Sequence, residues 1–435
     1  MSNVNAAIPD DAEILRMIQA SKAAGAEGRQ SEADQLLTRA AQHAPAHPAV
    51  LNELGLRMMQ RGEAAKAREL FQRATQVDPN HPALWSNFAA SLDALGLAGE
   101  EMEAIERALA LEPRHLPALL QKAALIESRG DARNAARIYR NALATLPPGT
   151  TPTTTVKEAV ERAREAVRTD DAALADALEK RLAAIRASHG SGTFRRVDRC
   201  IELLTGRRQR YDSQPTFLYF PEIPAVEFFD RTDFPWLDAI EAAADDMRAE
   251  LTTALVADRA GLEPYIAYPD GVPLGPWREL NKSRRWSAYF LWNQGVAQAA
   301  HLARCPRTAE VLKAAPLYDV AGRDPTAFFS LLDATTHIPP HTGATNTRLT
   351  VHLPLIVPSD CRFRVGGETR EWITGKACVF DDTIEHEAWN GSDAPRAVLV
   401  FYIWNPFLTA AERDLVRATT EVVGAYYAAA TQGAA

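Results

Sequence analysis

The sequence predicts a multidomain α plus β protein, with a helical solenoid at the N-terminus and an antiparallel jelly roll behind it. Three observations predict this: a 34-residue period over the first 150 residues, a helical stretch that loses the period, and short strand-like runs after Pro215. The expected organisation is a tail over 1–11, repeats over 12–148, a helical connector over 149–214, a strand-rich domain over 215–420 and a tail over 421–435. A chain of 435 residues is too long for a single core.

The period shows in Gly28, Gly62, Gly96 and Gly130, each 34 residues after the last, and in Pro45, Pro79, Pro113 and Pro147. Ala40, Ala74, Ala108 and Ala142 keep the same step, as do Leu37, Phe71, Ile105 and Tyr139. Glycine permits a turn between two helices and proline stops the second, so each period is a helical hairpin. The small Ala positions let helices approach while the large apolar positions fill the seams. The pattern resembles the tetratricopeptide repeat, which implies a curved stack whose groove holds a peptide or protein. His43, His47, His81 and His115 recur at helix boundaries and read as boundary residues. The bland alternative is that the repeats only cap or dimerise the rest.

Between Thr150 and Gln214 the residues remain helical, with Ala159, Ala163 and Val167 on one face beside Glu158, Glu161, Arg162 and Glu165. Flexible breaks are expected at Thr150-Thr151-Pro152-Thr153 and at Ser188-His189-Gly190-Ser191-Gly192.

In the strand-rich domain, Leu349, Val351, Leu353 and Leu355 alternate with Arg348, Thr350 and His352, which would gather polar groups on one face. Gly366-Gly367 suits a two-residue hairpin turn between Cys361–Val365 and Thr369–Trp372. Lys376–Phe380 and Pro395–Trp404 complete the strands.

Composition narrows the function. Lys plus Arg total 48 against 56 Asp plus Glu, a net charge of -8 that disfavours nucleic acid and anionic lipid as partners. The longest apolar run, Ala397–Trp404, is far short of the roughly 20 residues of a membrane span. The N-terminus carries no secretory signal, so a cytoplasmic location is expected. Cys200, Cys305, Cys361 and Cys378 lie far apart without a Cys-x-x-Cys pair and are expected to be buried free thiols.

Four histidines, His337, His341, His352 and His386, fall in the strand-rich core of the 215–420 domain. His341 precedes a strand, His386 follows 45 residues later, and ten residues further Arg396 opens an apolar run whose alternation aims it with Val398 and Val400. A cation among apolar neighbours demands an anion. Two imidazoles that hold a divalent metal with open positions, beside a guanidinium for a distal carboxylate, are what an iron(II) and 2-oxoglutarate oxygenase needs. No histidine is followed two places later by a carboxylate, and Gly343 stands two after His341, so a site with two histidines is implied. The bland reading is a pair of strand-end histidines. His337 reads as structural. Asp381, Asp382 and Glu385 are candidates to orient a metal-bound imidazole, or merely to cap a turn.

The blocks Arg285–Trp292, His341–Asn346, His352–Leu355 and Phe380-Asp381-Asp382 through His386–Trp389 resemble the aspartyl/asparaginyl β-hydroxylase family, over roughly Phe217 to Arg413. The resemblance implies a double-stranded β-helix jelly roll using Fe(2+), 2-oxoglutarate and O2, with His341 and His386 on the metal. It further implies that Arg396 and Ser330 hold the far carboxylate of 2-oxoglutarate and that His352 assists near its other end. Trp286, Arg348, Asp382 and Asn346 are the candidate substrate-side or supporting residues. Where the family's animal members carry an arginine, this chain has Thr350, with Arg348 one strand step earlier. The implied reaction is hydroxylation of the β-carbon of Asp or Asn, in a polypeptide delivered by the repeat groove. The alternatives are a related oxygenase acting on a free amino acid or lipid acyl chain, and a repeat scaffold with a vestigial oxygenase domain.

Overall fold

The computed structural model describes residues 11–147, 154–190 and 194–432, and the chain divides into two compact units, Met1–Arg207 and Arg208–Ala435. Among its described residues the first unit contains helices and turns and no strand. Eight helices form four hairpins: α1 (Asp11–Ala26) with α2 (Gln30–His43), α3 (Pro48–Gln60) with α4 (Ala64–Val77), α5 (Pro82–Asp93) with α6 (Ala98–Leu111), and α7 (Leu116–Ser128) with α8 (Ala132–Leu143). The turn within each hairpin is made by the periodic glycine, at φ of 79°, 76°, 70° and 86° for Gly28, Gly62, Gly96 and Gly130. After α3, the Glu63 N–H reaches back to the Met58 carbonyl at 2.9 Å, which satisfies a helix-end acceptor only because Gly62 turns left-handed. His47, His81 and His115 each stand at a helix N-cap, the boundary role their recurrence suggested.

Ala40, Ala74, Ala108 and Ala142 are wholly buried, and Leu37, Phe71, Ile105 and Tyr139 are 3% exposed or less. Close approach is literal at Gly55, where a Cβ would come within 2.6 Å of the Phe71 ring. Helix α9 (Thr154–Ser188) continues the stack, burying Val160 and Ala163 against Ala135, Ile138 and Tyr139 of α8. Its 35 residues and the following α10 (Arg195–Leu204) occupy most of the expected connector. The break expected at Thr150–Thr153 lies outside the described residues, as does the Ser191-Gly192 part of the second. Cys200 on α10 is exposed, contrary to the expected burial, because a connector helix has only one covered face. Cys305 and Cys361 are buried, Cys378 half-buried, and all four are free.

The second unit is a two-sheet sandwich. Its strands are β1 (Glu263–Pro264), β2 (Trp286–Asn293), β3 (Val296–Ala297), β4 (Ala327–Leu332), β5 (Thr336–His341), β6 (Arg348–Ile356), β7 (Cys361–Val365), β8 (Glu368–Glu371), β9 (Cys378–Phe380), β10 (His386–Asn390) and β11 (Arg396–Trp404). The larger sheet runs β1-β2-β4-β11-β6-β9, with β3 beside β2, and the smaller runs β5-β10-β7-β8. Every named pairing is antiparallel. The β7–β8 hairpin turns at Gly366-Gly367, with Gly366 at φ 56°.

Both faces of the larger sheet are covered. Leu349, Val351, Leu353 and Leu355 of β6 and Leu399 and Phe401 of β11 pack with Leu237 and Ile240 of α11 (Leu237–Ala242), Met247 and Leu251 of α12 (Ala244–Ala257), and Leu312 of α14 (Pro306–Leu312), which follows the short α13 (Ala299–Arg304). Between the sheets lie Trp286, Phe328, Leu332, Ile338, Phe363, Phe380, Val398 and Val400. A strand covered on both sides reads as a continuous apolar run, which is why Ala397–Trp404 shows no polar alternation. Helix α15 (Ala410–Gln432) runs unbroken across residue 420, where a tail was expected to start. Among the described residues no helix is long and apolar enough to cross a membrane.

Candidate active site

Strands β5 and β10 are neighbours, and their register sets His341 opposite His386, with ring centroids 4.1 Å apart. Each Nδ1 lies against a main-chain carbonyl, of Pro339 at 2.8 Å for His341 and of Ile384 at 3.0 Å for His386. A carbonyl only accepts, so Nδ1 carries the proton and Nε2 keeps its lone pair. Burial pushes His341 down to about 3, with His386 adding to it, and pushes His386 down to about 4. Both are therefore neutral, the state in which imidazole binds a metal. Among the described residues no third His, Cys, Asp or Glu completes a metal-binding cluster with them.

The acidic residues near His386 do not orient the imidazoles, as the sequence had left open; the carbonyls do. Asp381 accepts from the N–H and hydroxyl of Thr383 and so caps a turn. Glu385 pairs with Arg364 at 2.8 Å. Asp382 faces the cavity with its Oδ2 accepting from the Thr350 hydroxyl at 3.0 Å and its Oδ1 without a partner. Burial raises the Asp382 carboxyl, with Arg348, Thr350 and His341 opposing. A Cβ at residue 343 would fall 2.2 Å from that same Oδ1. Gly343 is thus required by contact: the space a side chain at 343 would enter is filled by the carboxylate of Asp382, whose main-chain carbonyl accepts from the Gly343 N–H at 2.7 Å.

Arg396 is 1% exposed and stands with its guanidinium 4.4 Å over the Trp372 ring. Its Nε has no hydrogen-bond partner, and no carboxylate pairs with it among the described residues. Burial lowers it to about 10, only weakly opposed by the Cys361 thiol. Ser330 lies on β4, the neighbour of β11, and its hydroxyl accepts from Trp286 Nε1 at 3.1 Å, which leaves its proton for an incoming acceptor. His352 Nδ1 is buried without a partner, and burial with Arg396 nearby holds the ring neutral. His341, His386, Arg396, Ser330, His352, Trp286, Arg348 and Asp382 all line one cavity of about 260 Å³.

Asn346 does not join them. Its side chain accepts from the Phe220 N–H at 2.7 Å and donates to the Phe220 carbonyl at 2.8 Å, so it pins a loop and does not line the cavity. His337 stacks on Trp389 and meets Glu387 of the cavity wall at 2.9 Å without itself lining the cavity. Beyond Trp286, the sequence had not pointed to the aromatic wall, in which Tyr265 stacks on Trp286 at 4.2 Å and on Phe328 at 5.2 Å, and Trp277 lies 5.0 Å from His341. Nor had it pointed to Asp324, whose carboxylate pairs with Arg348 at 2.9 Å beside an adjoining cavity of about 950 Å³. Isolated aromatics and an Asp in a loop carry no periodic signal.

Comparison with known proteins supports both resemblances. Residues 244–406 match the family described as aspartyl/asparaginyl beta-hydroxylase, and residues 26–96 match the tetratricopeptide repeat. The human aspartyl/asparaginyl beta-hydroxylase is 35% identical over 136 residues, 31% of this chain and 18% of that protein. The ornithine lipid ester-linked acyl 2-hydroxylase of Rhizobium tropici is 33% identical over 174 residues, 39% of this chain and 58% of that protein. Human aspartate beta-hydroxylase domain-containing protein 2 is 31% identical over 207 residues, 46% and 53% of the respective chains. The chain thus spans less than two thirds of each of these relatives.

Proposed function

We propose that this chain, through the domain that matches the aspartyl/asparaginyl β-hydroxylase family, is an iron(II)- and 2-oxoglutarate-dependent dioxygenase that hydroxylates the β-carbon of Asp or Asn side chains in a polypeptide held by its repeats. One observation carries the reading: two neutral imidazoles with free Nε2 atoms and a buried, unpaired guanidinium share one cavity. The donor set fits the groups. A buried cation with no counter-charge is stable only if an anion arrives, and the far carboxylate of 2-oxoglutarate supplies one.

His341 and His386 would hold iron through Nε2. Arg396 and the Ser330 hydroxyl would take the far carboxylate, and His352, with Nδ1 unpartnered, would stand near the cosubstrate. When bound, iron and the keto acid activate O2 for insertion into a C–H bond. The chain's own task is placement and the exclusion of water, served by Tyr265, Trp277, Trp286 and Phe328 around the cavity.

The test is an anaerobic iron(II) titration with succinate formation measured afterwards. Iron binding that survives removal of both His341 and His386 would refute the site. The aromatic wall favours a second reading, hydroxylation of an acyl chain, and a relative carries that name. Succinate formation that rises with acylated substrates and not with peptides would select it.

A further inference from the structure

The inner cavity adjoins the larger one of about 950 Å³, and Tyr265, Ala344, Arg348 and Tyr402 line both. A substrate side chain reaching the histidines from the larger cavity therefore passes Arg348. A carboxylate on that side chain would have to be paired, because leaving an ionised group unpaired in so buried a place is costly. The charges along this route decide whether it could be.

Arg396 is taken by the cosubstrate on the hydroxylase reading. The charge of Arg348 is paired already: Nη1 donates to Asp324 at 2.9 Å, and the Asp324 carboxylate is 1% exposed in its side chain, although Arg348 Nε has no hydrogen-bond partner. The Tyr402 ring covers one face of the guanidinium at 3.6 Å. Thr350, the next inward residue of β6, is neutral and gives its proton to Asp382. The remaining carboxylate of the inner cavity, Glu387, is held by Arg364 and His337. Arg323 of the larger cavity is exposed and lies 3.7 Å over Phe217, so it offers charge only at the outer end. What the inner cavity does hold is the Asp382 carboxyl, an acceptor whose Oδ2 takes the Thr350 hydroxyl and whose Oδ1 is buried against Gly343 without a donor. A carboxamide brings donors; a carboxylate brings only acceptors.

We infer that the side chain this cavity accepts is uncharged, the carboxamide of asparagine rather than the carboxylate of aspartate, because Asp324 neutralises Arg348 in advance. The inference rests on the hydroxylase reading and specifies its substrate.

It is tested on the full chain loaded with manganese(II) and 2-oxoglutarate, titrated near neutral pH with acetyl- and methylamide-capped asparagine and aspartate, and followed by tryptophan fluorescence from Trp277 and Trp286. The capped asparagine is expected to bind about tenfold more tightly than the capped aspartate. Asp324→Asn, which releases Arg348, is expected to tighten capped aspartate about tenfold while capped asparagine moves less than about threefold. Equal or tighter binding of aspartate to the unaltered protein overturns the inference, as does failure of both capped residues to bind. Should Asp324→Asn not fold, the comparison on the unaltered protein decides. Manganese content in the same samples separates the two readings: no bound manganese sinks the hydroxylase, whereas bound manganese with aspartate preferred sinks only the asparagine assignment.

Discussion

In the repeat unit, buried polar atoms without a hydrogen bond belong to Glu53, Arg68, His115 and Arg186, each on or beside a different helix. In the strand-rich unit such atoms also occur on Asp324, Trp372, Asp381, Arg413 and Thr420, but those of Arg348, His352, Asp382 and Arg396 belong to residues that line a single cavity. Scattered orphans are small local imperfections of packing, each near solvent or an ion pair such as Lys22 with Glu53 at 3.3 Å. Gathered orphans are different: no fold gains stability by collecting a cation, an acid and an imidazole in one hollow, so the collection marks what the hollow is for. The contrast separates a unit built to be stable from one that keeps an unmet demand.

The largest test of the contrast is removal of the imidazoles. His341→Ala or His386→Ala should lower turnover by about a thousandfold or more while the thermal unfolding midpoint of the repeat unit stays put. Substitution in the repeats should do the reverse. Phe71→Ala opens a cavity against Gly55 and Ala67 and should cost about 3–5 kcal/mol in denaturant unfolding of that unit, with iron affinity unchanged.

Arg396→Met sits between these extremes and splits the two properties. Removing an unpaired buried charge should stabilise the cosubstrate-free protein by about 1–3 kcal/mol. The same change should raise the KM for 2-oxoglutarate by about 10- to 100-fold and abolish the shift in melting temperature that the cosubstrate produces. A melting temperature that falls in the cosubstrate-free state would break the comparison.

The smallest effect concerns pH. Burial, with Asp93 adding to it, raises Glu101 in the repeat unit from 4.5 to about 7, and Arg129 opposes the rise. Stability from this group is therefore fully present below the ordinary carboxylate range and is lost as pH rises through about 7. Glu101→Gln should remove that slope and raise the alkaline melting temperature by about 1–3 °C. A slope that persists in the variant would assign it to another group.

Much of this was legible before the structure. The periodic Gly, Ala and Pro positions each require a local backbone geometry or a close approach, so Gly28 and its three counterparts could be placed as turns from spacing alone. The alternation of β6 likewise told which side Arg348, Thr350 and His352 occupy. The blocks around His341 and His386 marked a pair of imidazoles, and the strand pattern marked Arg396 as a buried cation, which the structure brings to one cavity. Asn346 lies inside the block that carries His341, yet its side chain bonds Phe220 away from the cavity; a sequence neighbour of a cavity residue need not share the cavity. The orientation of the imidazoles was also hidden, since Pro339 and Ile384 contribute carbonyls that every residue type possesses.

Sequence by itself determined the units, the faces of helices and strands, and the types of residue available for chemistry, because these depend on spacing along one chain and on side-chain identity. Only the tertiary structure decided that Asp382 fills the space above Gly343, that Asp324 claims Arg348, and that Arg396 is left with no counter-charge. Each of those is a contact between residues tens of positions apart, fixed by strand register and by which side chain reaches a shared hollow first, and no periodicity encodes it.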